Sequence, residues 1–215
     1  MDYYARERKK LVERLVDEGY LKTPHAIDAM MNVAREKFLP TGMESYAYVD
    51  SPQPIGEGQT ISAPHMVAIM TEKLQLREGD AVLEIGSGSG YQAAILATIA
   101  HKGFVNTIER IPGLVEFARR NIASCGIKNI EVTPSDGTLG YALKAPYDRI
   151  IVTAAAPRIP KALVEQLKDP GLMLIPVGNR FLQELIEVRK EKSKVTERNH
   201  GGCVFVPLIG EDGWR

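Results

Sequence analysis

The stretch "LEIGSGSGYQ", from Leu83 to Gln92, decides the fold of this chain. A short apolar run beginning near Asp80 leads into it, and an apolar segment with helical character follows it from Tyr91 to Ala100. Glycines at positions 86, 88 and 90 permit a tight turn and let backbone N–H groups approach a ligand closely. We therefore predict a strand, a glycine-rich turn and a helix that form a ligand-binding edge.

The same alternation continues beyond this stretch. Further strands are predicted at "FVNTIE", "NIEVTPSD", "YDRIIVTAAA" and "GLMLIPVG", with helices from about Pro112 to Ser124 and from near Pro160. Strands that alternate with helices indicate a parallel, doubly wound sheet. The predicted fold class is α/β and Rossmann-like, with a mainly parallel sheet and helices on both faces.

The two ends of the chain depart from this alternation. Residues 1–75 are predicted to be mainly helical, with apolar stripes at Leu11–Val16 and Ile27–Phe38, a loop at Pro40–Thr60 and a third helix from about Pro64 to Leu76. The segments "LQELIEVRK" and "GGCVFVPLI" predict a C-terminal β-hairpin, joined by the charged stretch between them. We expect one domain over 1–215, made of an N-terminal helical region (1–75), a ligand-binding core (80–180) and C-terminal strands (181–215).

The composition excludes several classes of partner. Lys and Arg together number 27, as do Asp and Glu, so the net charge is near zero and neither nucleic acid nor an anionic membrane is expected. The only two cysteines, Cys125 and Cys203, make neither a disulfide framework nor a metal cluster, so no metal is predicted. We expect a cytoplasmic protein, and a monomer.

Acidic residues lie where the first three predicted strands end. Glu109 ends the second strand, where a carboxylate can accept both ribose hydroxyls of an adenosine. Asp136-Gly137 ends the third, where an Asp can receive the adenine amino group, although Ser-Asp-Gly is also a common turn. Glu84 lies inside an apolar strand, and a buried acid needs a partner, such as a ligand amino group or loop N–H groups.

The glycine spacing separates two cofactor classes. The dinucleotide pattern G-x-G-x-x-G would place its third glycine at position 91, which is Tyr91. Gly90 instead completes E/D-x-G-x-G-x-G, the pattern of S-adenosyl-L-methionine (SAM) methyltransferases, which leave S-adenosyl-L-homocysteine (SAH) as product. A NAD dehydrogenase is therefore ranked last.

The wider chain resembles one family, the protein-L-isoaspartate O-methyltransferases. The matching segments are "REKFLP", "YVDSPQPIGEGQTISAPHMVAIMTEKL", "VLEIGSGSGYQAAILA", "APYDRIIVTAAA" and "FVPLIG". The resemblance implies SAM-dependent methylation of the free α-carboxylate of L-isoaspartyl residues in damaged proteins and peptides, with repair through a succinimide. It implies cofactor contacts from Glu84, Gly86, Ser87, Gly88, Gly90, Glu109, Asp136 and Gly137. It also implies a wall between cofactor and substrate from Asp148 and Thr153–Ala156, and Val204 departs from the family, where many members carry Arg.

The most specific matching element is "GQTISAPHM", Gly58–Met66, here called the hydroxyl segment. The resemblance assigns the catalytic role to Ser62, with Thr60 and His65 beside it, and Ile61 and Pro54 are predicted as further substrate contacts. A substrate carboxylate is ionised at pH 7, so it needs orientation and exclusion of water more than a general base. We expect Ser62 to cap the third helix and to position the carboxylate.

Two questions stay open from the sequence. His65 is either a substrate contact or a first-turn histidine packed on the loop. The same SAM pocket could also serve a methyltransferase of a small molecule or RNA, or a cofactor-sensing domain without turnover. The neutral charge and the aromatic content of 7% disfavour RNA.

Overall fold

A computed structural model describes residues 2–215. Its helices are α1 (Tyr3–Asp17), α2 (Pro24–Asn32), α3 (Pro64–Leu74), α4 (Tyr91–Ile99), α5 (Pro112–Ser124) and α6 (Lys161–Gln166). Its strands are β1 (Gln53–Gly56), β2 (Gln59–Ile61), β3 (Ala81–Ile85), β4 (Phe104–Glu109), β5 (Ile130–Pro134), β6 (Tyr147–Val152), β7 (Leu167–Gly178), β8 (Gln183–Glu191) and β9 (Lys194–Cys203). Across residues 2–215, none of the helices combines the length and hydropathy that a membrane span requires.

The main sheet has seven strands in the order β5-β4-β3-β6-β7-β8-β9. Neighbouring strands from β5 to β7 are parallel, whereas β8 and β9 are antiparallel to their neighbours. The strands that end in Ile85, Glu109, Pro134 and Val152 therefore bring their carboxyl ends to one edge of the sheet. The predicted α/β class with a mainly parallel sheet is confirmed.

Helices cover both faces of this sheet. Alternate residues of a strand point to opposite faces, and Val82 packs in one hydrophobic cluster while Leu83 packs in another. The first cluster includes buried residues of α1 to α5, and the second includes Leu163 of α6. The alternation of β3 between two apolar environments explains why its sequence reads as a nearly continuous apolar run.

The N-terminal part differs from the prediction in two places. The second apolar stripe is not one helix, because the backbone of Val33 is extended (φ −82°, ψ 113°) and Arg35–Phe38 forms a separate 3-10 turn. The predicted loop at Pro40–Thr60 contains the two-stranded hairpin β1–β2. The hairpin was missed because its strands are only 4 and 3 residues long, too short to show a clear period.

The C-terminal hairpin exists and its first strand lies where it was predicted, but its turn and its second strand come earlier in the chain. Its turn lies at Lys192 and Ser193, both left-handed (φ 53° and 61°), and two such residues in succession fit a two-residue hairpin turn. The charged stretch predicted as a connection is therefore strand β9. The register shifts opposite Glu184–Ile186, and the segment after Cys203 leaves β9 to meet Ala155 through Pro207.

Candidate cofactor and substrate site

The glycine loop (Gly86–Gly90) leaves β3 through three left-handed glycines, with φ of 95°, 51° and 88° at Gly86, Gly88 and Gly90. A Cβ atom on Gly86 would lie 2.5 Å from Oγ1 of Thr153, so no larger residue fits between the loop and the end of β6. The Thr153 hydroxyl donates to the Gly86 carbonyl at 2.7 Å, and Gly86 N–H donates to the Ile108 carbonyl at 2.8 Å. These contacts fix the loop against the edge of the sheet.

A first cleft of about 660 Å³ opens beside this loop. Its lining includes Gly86, Gly88, Glu109, Ile111, Leu114 and Gly137. The Glu109 carboxylate accepts hydrogen bonds from Gly88 N–H at 3.0 Å and from Ile111 N–H at 2.9 Å. Those two donors hold a largely buried carboxylate in one orientation and leave it acceptor capacity for a ligand hydroxyl.

Glu84 is fully buried and lies deeper in β3. Its Oε2 accepts a hydrogen bond from the Thr107 hydroxyl, which is 2.6 Å from the Ser87 hydroxyl, and its Oε1 has no partner within residues 2–215. Burial raises the pKa of Glu84 to about 8. Its partner is thus a strand hydroxyl, not loop N–H groups, and the carboxyl is mainly neutral at pH 7.

Asp136 and Gly137 take different places at the end of β5. Gly137 lines the first cleft, and a Cβ atom there would lie 2.4 Å from Ile85. The Asp136 side chain accepts from Thr138 N–H at 2.8 Å and from Glu211 N–H at 2.8 Å, so it contacts the C-terminal segment. The predicted adenine contact of Asp136 stays a prediction.

Ser87 and Gly90 also lie in different places, although both were predicted to contact the cofactor. Ser87 lines a second cleft of about 430 Å³. Gly90 is the N-cap of α4, and a Cβ atom there would lie 3.1 Å from Ile122 and 3.4 Å from Ala118 of α5. The geometry therefore requires Gly90 for helix packing, whereas Gly86 and Gly88 line both clefts.

The hydroxyl segment lies across from the glycine loop. Thr60, Ile61 and Ser62 line the second cleft, and Thr60, Ser62 and His65 line a third, wider one of about 1040 Å³. Thr60 and Thr153 border all three clefts. The first and third clefts therefore meet at these two threonines, with Ser62 beside the junction.

Two predicted residues lie away from the junction. Pro54 is exposed and pairs with Thr60 across the β1–β2 hairpin, and it is not among the residues that line the three clefts. Asp148 is the second residue of β6, at the opposite edge of the sheet, where it accepts from Ala81 N–H at 3.0 Å and pairs with Lys168 at 2.8 Å. The implied wall at Asp148 is therefore wrong, whereas Thr153 stands at the junction.

The prediction that Ser62 caps α3 is also wrong. The N-cap is Ala63, and Asp50 supplies the acceptor that the helix start needs. Oδ1 of Asp50 accepts from His65 N–H at 2.9 Å and lies 2.9 Å from His65 Nδ1. Asp50, which is distant in sequence, caps the helix, so the Ser62 hydroxyl is not needed as a cap.

Arg35 was not assigned a role from the sequence. It is fully buried and donates from Nε to the Ala47 carbonyl and from Nη2 to the Ser62 carbonyl, each at 2.8 Å. Its guanidinium lies 4.8 Å from the centre of the Tyr91 ring, the first residue of α4. A cation in the middle of an apolar stripe was the signal in the sequence, because such a residue is seldom buried without function or partners.

The residues of the first cleft fit an adenosine-containing cofactor. A fixed carboxylate faces apolar side chains, and the glycines of the loop leave room that Cβ atoms would fill. That donor and acceptor set suits a ribose diol beside an adenine ring.

Comparisons with known proteins agree with this site. The family model described as protein-L-isoaspartate(D-aspartate) O-methyltransferase matches residues 6–213. A protein-L-isoaspartate O-methyltransferase of Methanopyrus kandleri is 54% identical, over 99% of this chain and 95% of the relative, and one of Pyrococcus abyssi is 53% identical over 100% of both chains.

Solved structures give the same result. A Plasmodium falciparum structure, assigned to the protein-L-isoaspartate O-methyltransferases and in complex with SAH, is 28% identical with a TM-score of 0.84, over 94% of this chain and 98% of its own. A second protein-L-isoaspartate O-methyltransferase is 30% identical with a TM-score of 0.87, over 96% of this chain and 67% of its own. This chain belongs to the protein-L-isoaspartate (D-aspartate) O-methyltransferase family.

Proposed function

We propose that this chain transfers a methyl group from SAM to the free α-carboxylate of L-isoaspartyl residues in damaged proteins and peptides. The observation that carries the proposal is the junction of the first and third clefts at Thr60 and Thr153, with the Ser62 hydroxyl beside it. A methyl donor in the first cleft and an acceptor in the third would meet there. A backbone amide nitrogen of the substrate then attacks the ester carbonyl and displaces methanol, and water can reopen the resulting succinimide as normal aspartate.

The first cleft is the proposed cofactor site. Bound SAM supplies an electrophilic methyl group on its sulfonium. Glu109 would accept the ribose hydroxyls, because Gly88 and Ile111 already orient its carboxylate. Gly86 and Gly88 would let the cofactor approach the backbone, and Gly137 would do the same at the adenine end. Glu84 and Ser87 would contribute to the cofactor site through their hydrogen bonds with the Thr107 hydroxyl.

The hydroxyl segment is the proposed acceptor site. An ionised carboxylate is already a nucleophile, so the chain has to place one of its oxygens in line with the methyl group at about 3 Å. The Ser62 hydroxyl would donate a hydrogen bond to the other oxygen, and the Thr60 hydroxyl, which borders the same clefts, would be a second donor. Ile61 is buried beside them, which helps to exclude water.

His65 is proposed to contact the substrate from the rim of the third cleft. Asp50 lies against Nδ1 of the ring, which leaves Nε2 as the nitrogen for a ligand. Asp50 also pairs with Arg14 of α1 at 3.4 Å, so the histidine is oriented by a carboxylate that is itself fixed. In this proposal the two roles that the sequence left open for His65 are compatible, since packing on Asp50 would orient the ring for binding.

The remaining expectations belong to the same proposal. The chain is proposed to work in the cytoplasm as a monomer, with one domain over 1–215 and without a nucleic-acid partner. Support for one domain comes from the first hydrophobic cluster, in which Leu11 of α1 and Phe205 of the C-terminal segment belong with residues of the central helices.

The test is methyl transfer from labelled SAM to a peptide that contains L-isoaspartate, beside its twin with normal aspartate. The proposal expects label in the first peptide and background in the second. Equal labelling of both peptides would contradict the isoaspartyl specificity. Labelling of neither, with label transferred to RNA or a small carboxylic acid, would favour the alternative substrate classes.

A further inference from the structure

The C-terminal tail (Pro207–Trp214) forms one wall of the first cleft. Pro207, Leu208 and Ile209 line that cleft opposite the glycine loop and Glu109. The tail pairs with the segment that follows β6: Ala155 N–H donates to the Val206 carbonyl, and Leu208 N–H donates to the Ala155 carbonyl, each at 2.8 Å. Ala155 therefore holds the wall as far as Leu208, and the position of Ile209 depends on what holds the tail after it.

The end of the tail folds back on itself. Gly213 N–H donates to the Gly210 carbonyl at 3.2 Å, which makes a four-residue turn with Glu211 and Asp212 at its centre. Trp214 N–H donates to the Leu208 carbonyl at 2.8 Å, and the indole N–H donates to the Ala155 carbonyl at 3.0 Å. Hydrogen bonds thus join the turn and the single tryptophan to the cleft wall.

Asp136 holds this turn from the other side. Its Oδ2 accepts from Glu211 N–H at 2.8 Å, and its Oδ1 accepts from Thr138 N–H at 2.8 Å and from the Thr138 hydroxyl at 2.7 Å. The same hydroxyl accepts from Asp212 N–H at 3.1 Å. Three of about four acceptor positions of the carboxylate are therefore used inside the protein.

The contact is too close for any side chain between the partners. A Cβ atom on Gly210 would lie 2.1 Å from the Asp136 carboxylate, and one on Gly213 would lie 2.3 Å from the Leu208 carbonyl. Burial alone would raise the pKa of Asp136, but the Glu211 and Thr138 hydrogen bonds outweigh it and hold that pKa below its usual range. The group that faces the tail is therefore a carboxylate at neutral pH.

We infer that Asp136 is a positioning residue that fastens the C-terminal tail, and that it supports the cofactor by setting the wall formed by Leu208 and Ile209. The inference uses the cofactor of the proposed function, but the fastening itself does not depend on which substrate is methylated. It differs from a direct contact between Asp136 and adenine in one respect. Loss of the Glu211 N–H, with Asp136 intact, must weaken cofactor binding too.

Two full-length variants separate these cases. Asp136→Asn replaces one carboxylate oxygen with an amide NH2. In one orientation the NH2 faces the Glu211 N–H, and in the other Thr138 loses its acceptor. Glu211→Pro removes the N–H and puts the ring Cδ where the hydrogen pointed at Asp136, so it breaks the contact while Asp136 stays intact. Glu211 is the second residue of the turn and lacks a positive φ, so the backbone of the turn itself accepts proline. Glu211→Ala is the matched control, because it removes the exposed side chain and keeps the N–H.

The first readout uses cofactor-free protein. Trp214 is the only tryptophan in the sequence, so its emission and its quenching by acrylamide report the tail directly. We expect stronger quenching and red-shifted emission in Asp136→Asn and Glu211→Pro, and wild-type behaviour in Glu211→Ala. Unchanged Trp214 signals in both test variants would overturn the inference.

The second readout is the affinity for SAH, measured by calorimetry. Each test variant should bind about tenfold more weakly, as expected for a lost hydrogen bond to a charged group. The double variant should be no weaker than either single one, because both changes break the same contact. Weaker binding in Asp136→Asn alone, with Glu211→Pro like wild type, would mean a direct adenine contact and would overturn the inference. Wild-type protein that fails to bind SAH would contradict the proposed function and leave the Trp214 result standing.

Discussion

The glycine loop and the hydroxyl segment form facing walls of one site, but they are held in different ways. The loop is fixed by its own glycines and by the ends of neighbouring strands, such as Gly86 against Ile108 and Thr153. The hydroxyl segment is held by residues from other elements, with Arg35 on the Ser62 carbonyl and Asp50 on the first turn of α3. Changes in the loop should therefore act on cofactor binding, and changes around the hydroxyl segment should act on methyl transfer.

The largest effect is expected from Gly86→Ala. The new Cβ would lie 2.5 Å from Thr153 Oγ1 at a φ of 95°, so the loop has to move. We expect SAH affinity to fall about a hundredfold or more, from strain of a few kcal/mol together with the lost loop geometry.

Calorimetry with SAH checks this prediction. Gly126→Ala is the matched control, since Gly126 has a φ of 69° and nothing within 4 Å of the added atom. Tight SAH binding by Gly86→Ala would show that the cofactor does not depend on this loop conformation.

Ser62→Ala changes the hydroxyl segment, so it should affect methyl transfer and leave cofactor binding unchanged. Without the hydroxyl the substrate carboxylate loses its orientation, and we expect kcat/KM for an isoaspartyl peptide to fall about a hundredfold. SAH affinity should stay within twofold of wild type. A methyl-transfer rate like that of wild type would remove Ser62 from the positioning role.

Arg35→Met tests whether the hydroxyl segment depends on the hydrogen bond that Arg35 donates to the Ser62 carbonyl. The change leaves the carbonyls of Ala47 and Ser62 without their donor. We expect kcat/KM to fall about tenfold, SAH affinity to be little changed, and the free energy of unfolding to fall by about 1–3 kcal/mol.

The matched control is Lys37→Met, an exposed cation on the same 3-10 turn. Peptide kinetics and chemical denaturation measure the two effects separately. A variant that loses stability at full methyl-transfer rate would make Arg35 structural only.

A pH effect on stability, without a change in either wall of the site, is expected from Glu84 in β3. The pKa of Glu84 is about 8 in the folded chain, against 4.5 when exposed. Below pH 4.5 the Glu84 carboxyl is protonated in both the folded and the unfolded chain, so its contribution to stability is fully present. As pH rises towards 8 the unfolded chain releases the proton first, so stability is lost.

Glu84→Gln should remove this dependence. Between pH 6 and 8 the wild type should lose on the order of 2 kcal/mol more free energy of unfolding than the variant. Urea titrations at the two pH values measure it. Equal losses in both proteins would mean that Glu84 is ionised throughout this range.

Much of the site could be predicted from local sequence pattern. Glu109 and Gly86 lie at the carboxyl edge of the sheet, as predicted, because parallel strands deliver their carboxyl ends together, and their contacts with the cofactor stay a prediction. The family was predicted from "GQTISAPHM" and its companions, and it is confirmed. The errors were of another kind: Ser62 as a helix cap, Asp148 as a wall and the position of the C-terminal hairpin turn.

The error at Ser62 and the unpredicted contact of Asp136 share a physical cause, which is a partner from a distant part of the chain. Whether Ser62 caps α3 depends on whether another acceptor reaches the helix start, and Asp50 does so from 15 positions away. The position of Asp136 at the end of β5 was readable, but its contact with Glu211, 75 positions away, was not.

The sequence by itself determined the alternation of strands and helices, the left-handed turns that glycine permits, and the edge where a cofactor can bind. These follow from backbone sterics and from the period of apolar residues, which act over a few neighbouring positions. The tertiary structure alone decided which hydrogen-bond partners reach Ser62, His65 and Asp136. Those pairings depend on how distant elements pack, since a buried polar group takes whichever partner the fold brings within hydrogen-bond distance.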